Sequence, residues 1–490
     1  MRLWIIVLLL LIFEIQNDVL ANNVQVSNIE VFSIDRTNHI IYIQFDLSGE
    51  NAWRTTSDAQ NWDATWAFVK YRTAAGNWRH ATLSTNQANY RSPAEAQIDP
   101  VTDGKGVFIY ASDVNAGIIP TYNYQQIVLA WEYGIDGFDE ANTTNLEVRI
   151  FAIEMVYIPQ GSFYLGSGGS ETNTFYTYNS NAPYLINSES AIQVSTTNGQ
   201  LYYDNASGYA GDQSGPIPDN FPKGYNAFYC MKYEISQQQY VDFLNNLTST
   251  EANNRDNVTN SFRNNVTPAS NYPNITTSTP YVAMNWLDWF DVTAYLDWAA
   301  LRPMTELEFE KVARGPITPI ANENVWGNTT AANTTYTLSN ANAENEEVNN
   351  PSNTDGNINW YDTHPNAPYE GPMRCGIFAT NNTSNSKQFA GATYYGVMEL
   401  SGNLWEYVVT TGNPDGRQFD GSNGDGQLVN SEADNANWPN DKSSQAALGA
   451  GFKGGSYKNP YSQISDRIYA AFGYYRQDDD QGGRGVRSAN

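Results

Sequence analysis

Cysteine and histidine are almost missing from this chain, with two Cys and three His among 490 residues. Two cysteines, Cys230 and Cys375, are too few for a disulfide framework, and nothing in the sequence says whether they pair. His39, His80 and His364 show none of the spacings of a zinc site. Basic residues are scarce as well. Lys and Arg number 26 against 52 Asp and Glu, a net charge of −26. That balance argues against nucleic acid or an anionic membrane as partner. Solubility accounts for most acidity of this kind, with cation binding as the alternative. Long apolar runs are absent beyond the first residues. Leu3–Phe13 follows Arg2 and precedes a Val19-Leu20-Ala21 end, the layout of a secretory signal peptide over residues 1–21. A bilayer span needs about 20 apolar residues, and this run stops at Glu14. The mature chain is expected to be secreted or held at the cell surface, with no membrane span. Catalytic serine signatures are missing too: there is no G-x-S-x-G elbow, and GSGGS (166–170) is followed by no Lys-Ser/Thr.

What is present divides into two parts. Residues 22–150 read as a β-sandwich. In IIYIQFDL (40–47) apolar and polar residues alternate as on a half-buried strand, and further strand candidates cover 64–72, 107–112, 125–133 and 145–153. Short strands between Asn/Gly/Asp-rich turns fit a sandwich acting as a structural or binding module. After a boundary near 150, residues 168–220 and 317–366 are rich in Asn, Ser, Thr and Gly and read as long surface insertions. Three helices are expected around them. SQQQYVDFLNNL (236–247) opens with a Ser236/Gln239 capping box. NWLDWFDVTAYLDWAAL (285–301) is apolar all around, as a buried helix is. TELEFEKVARG (305–315) opens with Thr305/Glu308 and closes at Gly315.

Four motifs carry a resemblance over roughly residues 153–490. RPMTELEFEKVARG (302–315), YYGVMELSGNLWEYV (394–408), GAGFKGGSY (449–457) and GGRGVRSA (482–489), with the opening MVYIPQGSFYLGS (155–167), resemble the formylglycine-generating enzyme (sulfatase-modifying factor) family. The resemblance implies a C-type lectin-like domain over 151–490, and with the N-terminal β-sandwich read from the strand pattern the expected fold class is α+β. It also implies copper held by two cysteines spaced five apart. Here Ile464 and Tyr469 stand where those thiolates are expected. Calcium is the other implied cofactor. Its ligands, carried over position by position, are Glu399, Gly402, Leu404 and Glu406, with Glu399 where the family has Asp or Asn. The alternative there is a Gly402-Asn403 turn with Trp405 plugging the core. A second family calcium site falls near Asn340 or Asn342. Arg302, Glu308, Arg314 and Arg487 also sit on family positions, and buried ion pairs are the expected use of such residues.

The cysteine-free C-terminal stretch has its own character. Tyr457, Tyr461, Tyr469, Phe472, Tyr474 and Tyr475, interleaved with Ser, Gly and Asp478, Asp479 and Asp480, have the composition of an antibody-like paratope. The stretch is also similar to the hypervariable segments of target proteins encoded by diversity-generating retroelements, which end in a fixed Gly-Arg-rich tail. Two functions are therefore open at this point. One is an exported binding or display protein whose C-terminal face holds an unknown protein or surface ligand. The other is an oxidoreductase of the family working by non-standard chemistry. Cuprous ion wants thiolates, and an iron site of the histidine–carboxylate kind lacks histidines, so binding is favoured.

Overall fold

The computed structural model describes residues 23–489 except 74–75, 257–258, 380–385, 441–446 and 474–476, and no side chains at 142–144. The expected signal peptide and Tyr474 and Tyr475 lie outside the described residues. Eight strands build the N-terminal part: β1 (Gln25–Asp35), β2 (Ile40–Arg54), β3 (Asp63–Thr73), β4 (Arg79–His80), β5 (Ala96–Pro100), β6 (Val107–Ala111), β7 (Gly117–Trp131) and β8 (Leu146–Ile158). β1, β2 and β7 form one antiparallel sheet. It packs Ile41, Ile43, Phe45 and Leu47 against Ala67, Val69, Ile109 and Ile150 of a second sheet. Alternation along β2 places those four residues on one face, as the sequence pattern requires.

The second sheet belongs to both halves of the chain. Its order is β14-β20-β13-β8-β3-β6-β5, with β4 beside β3, where β13 is Phe228–Met231, β14 is Arg302–Pro303 and β20 is Gly485–Ser488. Residues 145–153 and 155–167 were expected as separate strands. Instead β8 runs unbroken through position 150, pairing with β3 along Leu146–Val156 and with β13 along Met155–Ile158. The segment contains no Gly or Pro to break it. β3 is buried on both faces. Ala67 and Val69 face the sandwich, while Trp66 and Phe68 face the C-terminal core. A buried charge group crosses the same seam: the ammonium of Lys232 lies 2.7 Å from Asp63 and 3.3 Å from Glu154.

Helices α1 (Gln237–Leu244), α2 (Ser249–Asn254) and α3 (Trp289–Trp298) cover the other face, while α4 (Glu306–Arg314) packs Phe309, Val312 and Ala313 against Val156, Ile158 and Phe228 of the same sheet. The expected capping boxes at Ser236/Gln239 and Thr305/Glu308 are both formed, and Gly315 ends α4 at φ +68°. The insertion 168–220 holds three short strands, β10 (Phe175–Thr177), β11 (Tyr184–Ile186) and β12 (Leu201–Tyr203), with β9 (Phe163–Leu165) pairing β11. It is not a surface loop. Phe175, Ile186, Leu201, Tyr203 and Ile217 enter the main core, because apolar residues recur among its Asn and Ser. The second insertion carries the ribbon β15 (Leu338–Ser339) and β16 (Glu347–Val348). A three-stranded sheet completes the domain: β17 (Trp405–Val409) between β18 (Ala450–Lys453) and β19 (Gln481–Gly482). Among the described residues no helix is long and apolar enough to cross a membrane.

A sheet shared in this way makes the two halves one cooperative unit. Calorimetry should show a single unfolding transition, and Trp66→Ala, which empties the seam, should cost about 3–5 kcal/mol. Two separated transitions would contradict the shared sheet.

Candidate functional site

The turn between residues 399 and 406 leads into β17 and sits beneath the C-terminal strands. Glu406 is fully buried, and both its oxygens accept from the fork of Arg484, at 2.7 Å each. Arg484 spends its other donors on the carbonyls of Met231, Lys232 and Met398. Burial raises the Glu406 carboxyl and Arg484 pulls it back down. Glu234 caps the same turn, accepting from the Leu404 N–H at 3.0 Å and from the Asn403 amide. Its carboxyl is held well above the ordinary range by burial and then by Glu406. Glu399 accepts from the Gly376 N–H at 2.9 Å through Oε1, and its Oε2 is buried without a partner.

As placed, Glu399, Gly402, Leu404 and Glu406 do not fit a calcium ion. Calcium takes six to eight oxygens, and here one carboxylate is committed to a guanidinium whose charge already neutralises it. Calcium at this turn would require Arg484 to leave Glu406. The second expected position repeats the substitution: Asn342 Oδ1 accepts from Arg263 at 3.1 Å, and Arg263 pairs with Glu346. Asn340 donates to the Asn345 carbonyl nearby. Trp405 plugs the core as the alternative reading of the turn expects.

The four expected ion-pair residues are all buried and paired. Arg302 holds Glu308 at 2.7 Å, Arg314 bridges Glu310 and Glu323, and Arg487 pairs with Asp103 of the sandwich. Arg467, Arg484 and Glu234 hold the turn and the segment above it and were not singled out from the sequence, since each contact joins segments far apart in the chain.

The residues of the expected paratope divide between the core and the surface. Tyr457 is not at the surface; it is fully buried in a small cluster with Met398 and Leu404. Asp479 is buried and ion-paired with Lys458. Asp480 accepts from Ser456 Oγ at 2.7 Å and from Asn459 at 3.0 Å, and its backbone carbonyl accepts from the Trp405 N–H. Only Asp478 of the triplet is exposed. The acidic run is thus a turn that fastens the tail, because Lys458, Ser456 and Asn459 stand against it.

Tyr461, Tyr469 and Phe472 are half-buried and come together as a face. Tyr469 lies 5.5 Å from Phe472 and 5.5 Å, edge-on, from Trp405 beneath. Tyr461 lies 6.3 Å from Tyr469. A fourth ring, Tyr209 from the first insertion, is 44% exposed and stands 4.7 Å from Phe472. The backbone below is held tightly. Arg467 donates to Glu306 at 2.7 Å, and its guanidinium stacks 3.9 Å from Phe175 and 4.1 Å from Tyr203. Gly451 allows β18 to pass under this segment; a Cβ there would lie 1.9 Å from the Ala470 carbonyl. Of the two thiolate positions, Ile464 is core and Tyr469 is in the face. Cys230 and Cys375 are free and buried in other elements, and burial pushes the Cys230 thiol up to about 12 and Cys375 well above its usual range.

Burial holds the Glu399 carboxyl protonated to about 7, against an ordinary 4.5. Between those values the folded chain binds more protons than the unfolded one. The stabilising contribution is complete below about 4.5 and is lost as pH rises through about 7. Glu399→Gln should remove that loss and be more stable than the parent at pH 8 by on the order of 2 kcal/mol. At pH 4.5 the two should agree within about 0.5 kcal/mol, and a chelator should leave both melting curves unchanged. A calcium ion on Glu399 would give the reverse, with chelation lowering the parent's Tm and Glu399→Gln destabilising at pH 8.

Comparison with curated proteins gives no match. Among solved structures, PvdO from Pseudomonas aeruginosa is similar with 17% identity and a TM-score of 0.31, over 69% of this chain and 95% of that one. Treponema denticola variable protein 1 is similar with 13% identity and a TM-score of 0.32, over 69% of this chain and 96% of that one. The family model of the sulfatase-modifying factor enzyme 1-like domain matches residues 147–489, which is most of the chain and includes every motif of the turn and the face. The chain belongs to that family.

Proposed function

We propose that the chain is an exported binding protein that uses the sulfatase-modifying-factor scaffold without its copper chemistry. The observation that carries this reading is the replacement at the thiolate positions. One becomes core, Ile464, and the other becomes Tyr469, part of a surface of four aromatic rings. Soft cuprous ion needs thiolates, and the two cysteines present are buried elsewhere as thiols. Tyr and Phe held on a fixed backbone give large contact area at low entropic cost. Such rings are the residue types that anchor interfaces. Tyr209, Tyr461, Tyr469 and Phe472 are the proposed anchors, and Asp478 supplies an exposed charge at their edge. The ligand is a protein or other surface ligand met outside the cell. Variation of the segment in the manner of retroelement target proteins fits the same reading, since the rings can change while Arg467 and the acidic turn keep the backbone in place.

The purified chain, given copper and a Cys-x-Pro-x-Arg peptide, should yield no formylglycine by mass spectrometry. Exported chain should begin at Asn22. A displayed random peptide library panned on the chain should enrich peptides that no longer bind Tyr469→Ser/Phe472→Ser. Turnover of the peptide, or enriched peptides indifferent to the two substitutions, would contradict the proposal.

A further inference from the structure

A cavity lies between the start of β1, the strand β8 and the helices α1 and α3, built from none of the residues of the aromatic face. It has a volume of about 230 Å³ and is walled by Val24, Phe151, Ile153, Asp242, Tyr295 and Trp298. Most of these are apolar. Phe151 and Trp298 meet edge-on with their rings 4.9 Å apart, and Ile153 and Tyr295 belong to the main core. Val24 stands just before β1 and packs on the sandwich side. Among the described residues on the wall, Asp242 alone is charged, and it comes from the last turn of α1.

Asp242 is poorly served where it stands. It is half-buried, and its Oδ1 accepts a hydrogen bond from Gln238 Nε2 at 2.9 Å. Arg149 acts on it through space, but that guanidinium is stacked on Trp78, 4.5 Å from the ring centre, and forms no ion pair with it. Its place at the C-terminal end of α1 also sets it against the helix dipole, which favours cations there. Burial raises the carboxyl to about 6, so it is ionised above about pH 7. The other polar side chains on the wall do not offset that charge. The Tyr295 hydroxyl stays neutral, because burial and then the Asp242 charge raise it above its usual range. Gln239 is neutral too, and gives its carbonyl oxygen to the Ser236 N–H in the capping box. A carboxylate in aromatic and aliphatic walls, with no protein cation against it, is matched by an ammonium that brings its own apolar body.

We propose that this cavity binds a small organic amine as its ammonium ion, with the ammonium on Asp242 and an aryl or alkyl body against Phe151, Ile153 and Val24. The ligand class follows from one uncompensated carboxylate in apolar walls, and it does not depend on the function of the aromatic face.

The test is a calorimetric titration of the whole chain with phenethylammonium chloride at about pH 7.5. Phenethylammonium should bind saturably, and phenethyl alcohol, which has the same ring and no charge, at least about tenfold more weakly. Ammonium chloride, which has the charge and no apolar body, should not displace it at equal concentration. Asp242→Asn should weaken binding at least about tenfold while keeping the parent's melting curve or raising its midpoint, since the helix end loses an unfavourable charge. Val24→Trp, which fills the cavity from its rim and leaves the carboxylate in place, should weaken binding as well. The proposal is overturned by an absence of saturable binding up to about 20 mM, by equal binding of phenethyl alcohol, or by parent-like affinity in either variant. The two ligands are compared on the parent chain, so that comparison decides the matter even where a variant misfolds.

Discussion

The buried pair of Arg467 and Glu306 is the constraint on which the aromatic face depends. Arg467 stands in the segment that carries Tyr461, Tyr469 and Phe472, and Glu306 begins α4. The same guanidinium stacks on Phe175 and Tyr203 and donates to the carbonyls of Asn173 and Ala210, so it also fixes the insertion that supplies Tyr209. Glu306 in turn accepts from Thr410 and Thr411 at the end of β17. One ion pair therefore sets four separate segments relative to each other. Breaking such a pair on one side leaves an uncompensated buried charge, at about 3–5 kcal/mol. Rings mounted on a backbone held this way are preorganised.

The same economy runs through the interior. Glu406 holds Arg484, Glu346 holds Arg263, Glu308 holds Arg302, and Lys232 sits between Asp63 and Glu154. These guanidinium and ammonium groups provide inside the protein the positive charge that a bound cation would otherwise bring. Arg484 occupies that role at the turn where calcium was expected. The chain's strong net negative charge is accordingly a property of its surface, where it favours solubility.

Much of the scaffold was legible in the sequence. Capping boxes located α1 and α4, the all-round apolar pattern located α3, and alternation placed the inner face of β2. The box at Thr248/Glu251 was equally readable, but α2 has six residues and no apolar stripe to draw the eye. The strand expected over 145–153 and the boundary placed near 150, ahead of a separate opening strand at 155–167, are joined in one element; the chain has no breaker there, and β8 continues to Ile158. The site was less legible for one reason, which is that its contacts are long-range. Asp478, Asp479 and Asp480 look alike in sequence, and only the placement of Lys458 and Ser456 buries one and ties another. Arg484 reads locally as part of a glycine turn, and its partner lies 78 residues earlier. Tyr209 joins the face from an insertion whose composition resembles a loop.

The central claim is that the scaffold's metal chemistry has been replaced by a binding face, and it rests on where soft-metal ligands are absent. Competition for cuprous ion against a coloured chelator measures this directly. With Ile464 and Tyr469 at the thiolate positions and both cysteines buried as thiols, the folded chain should take no copper from the chelator. Transfer of one cuprous ion per folded chain, retained after the chelator is removed, would contradict the account.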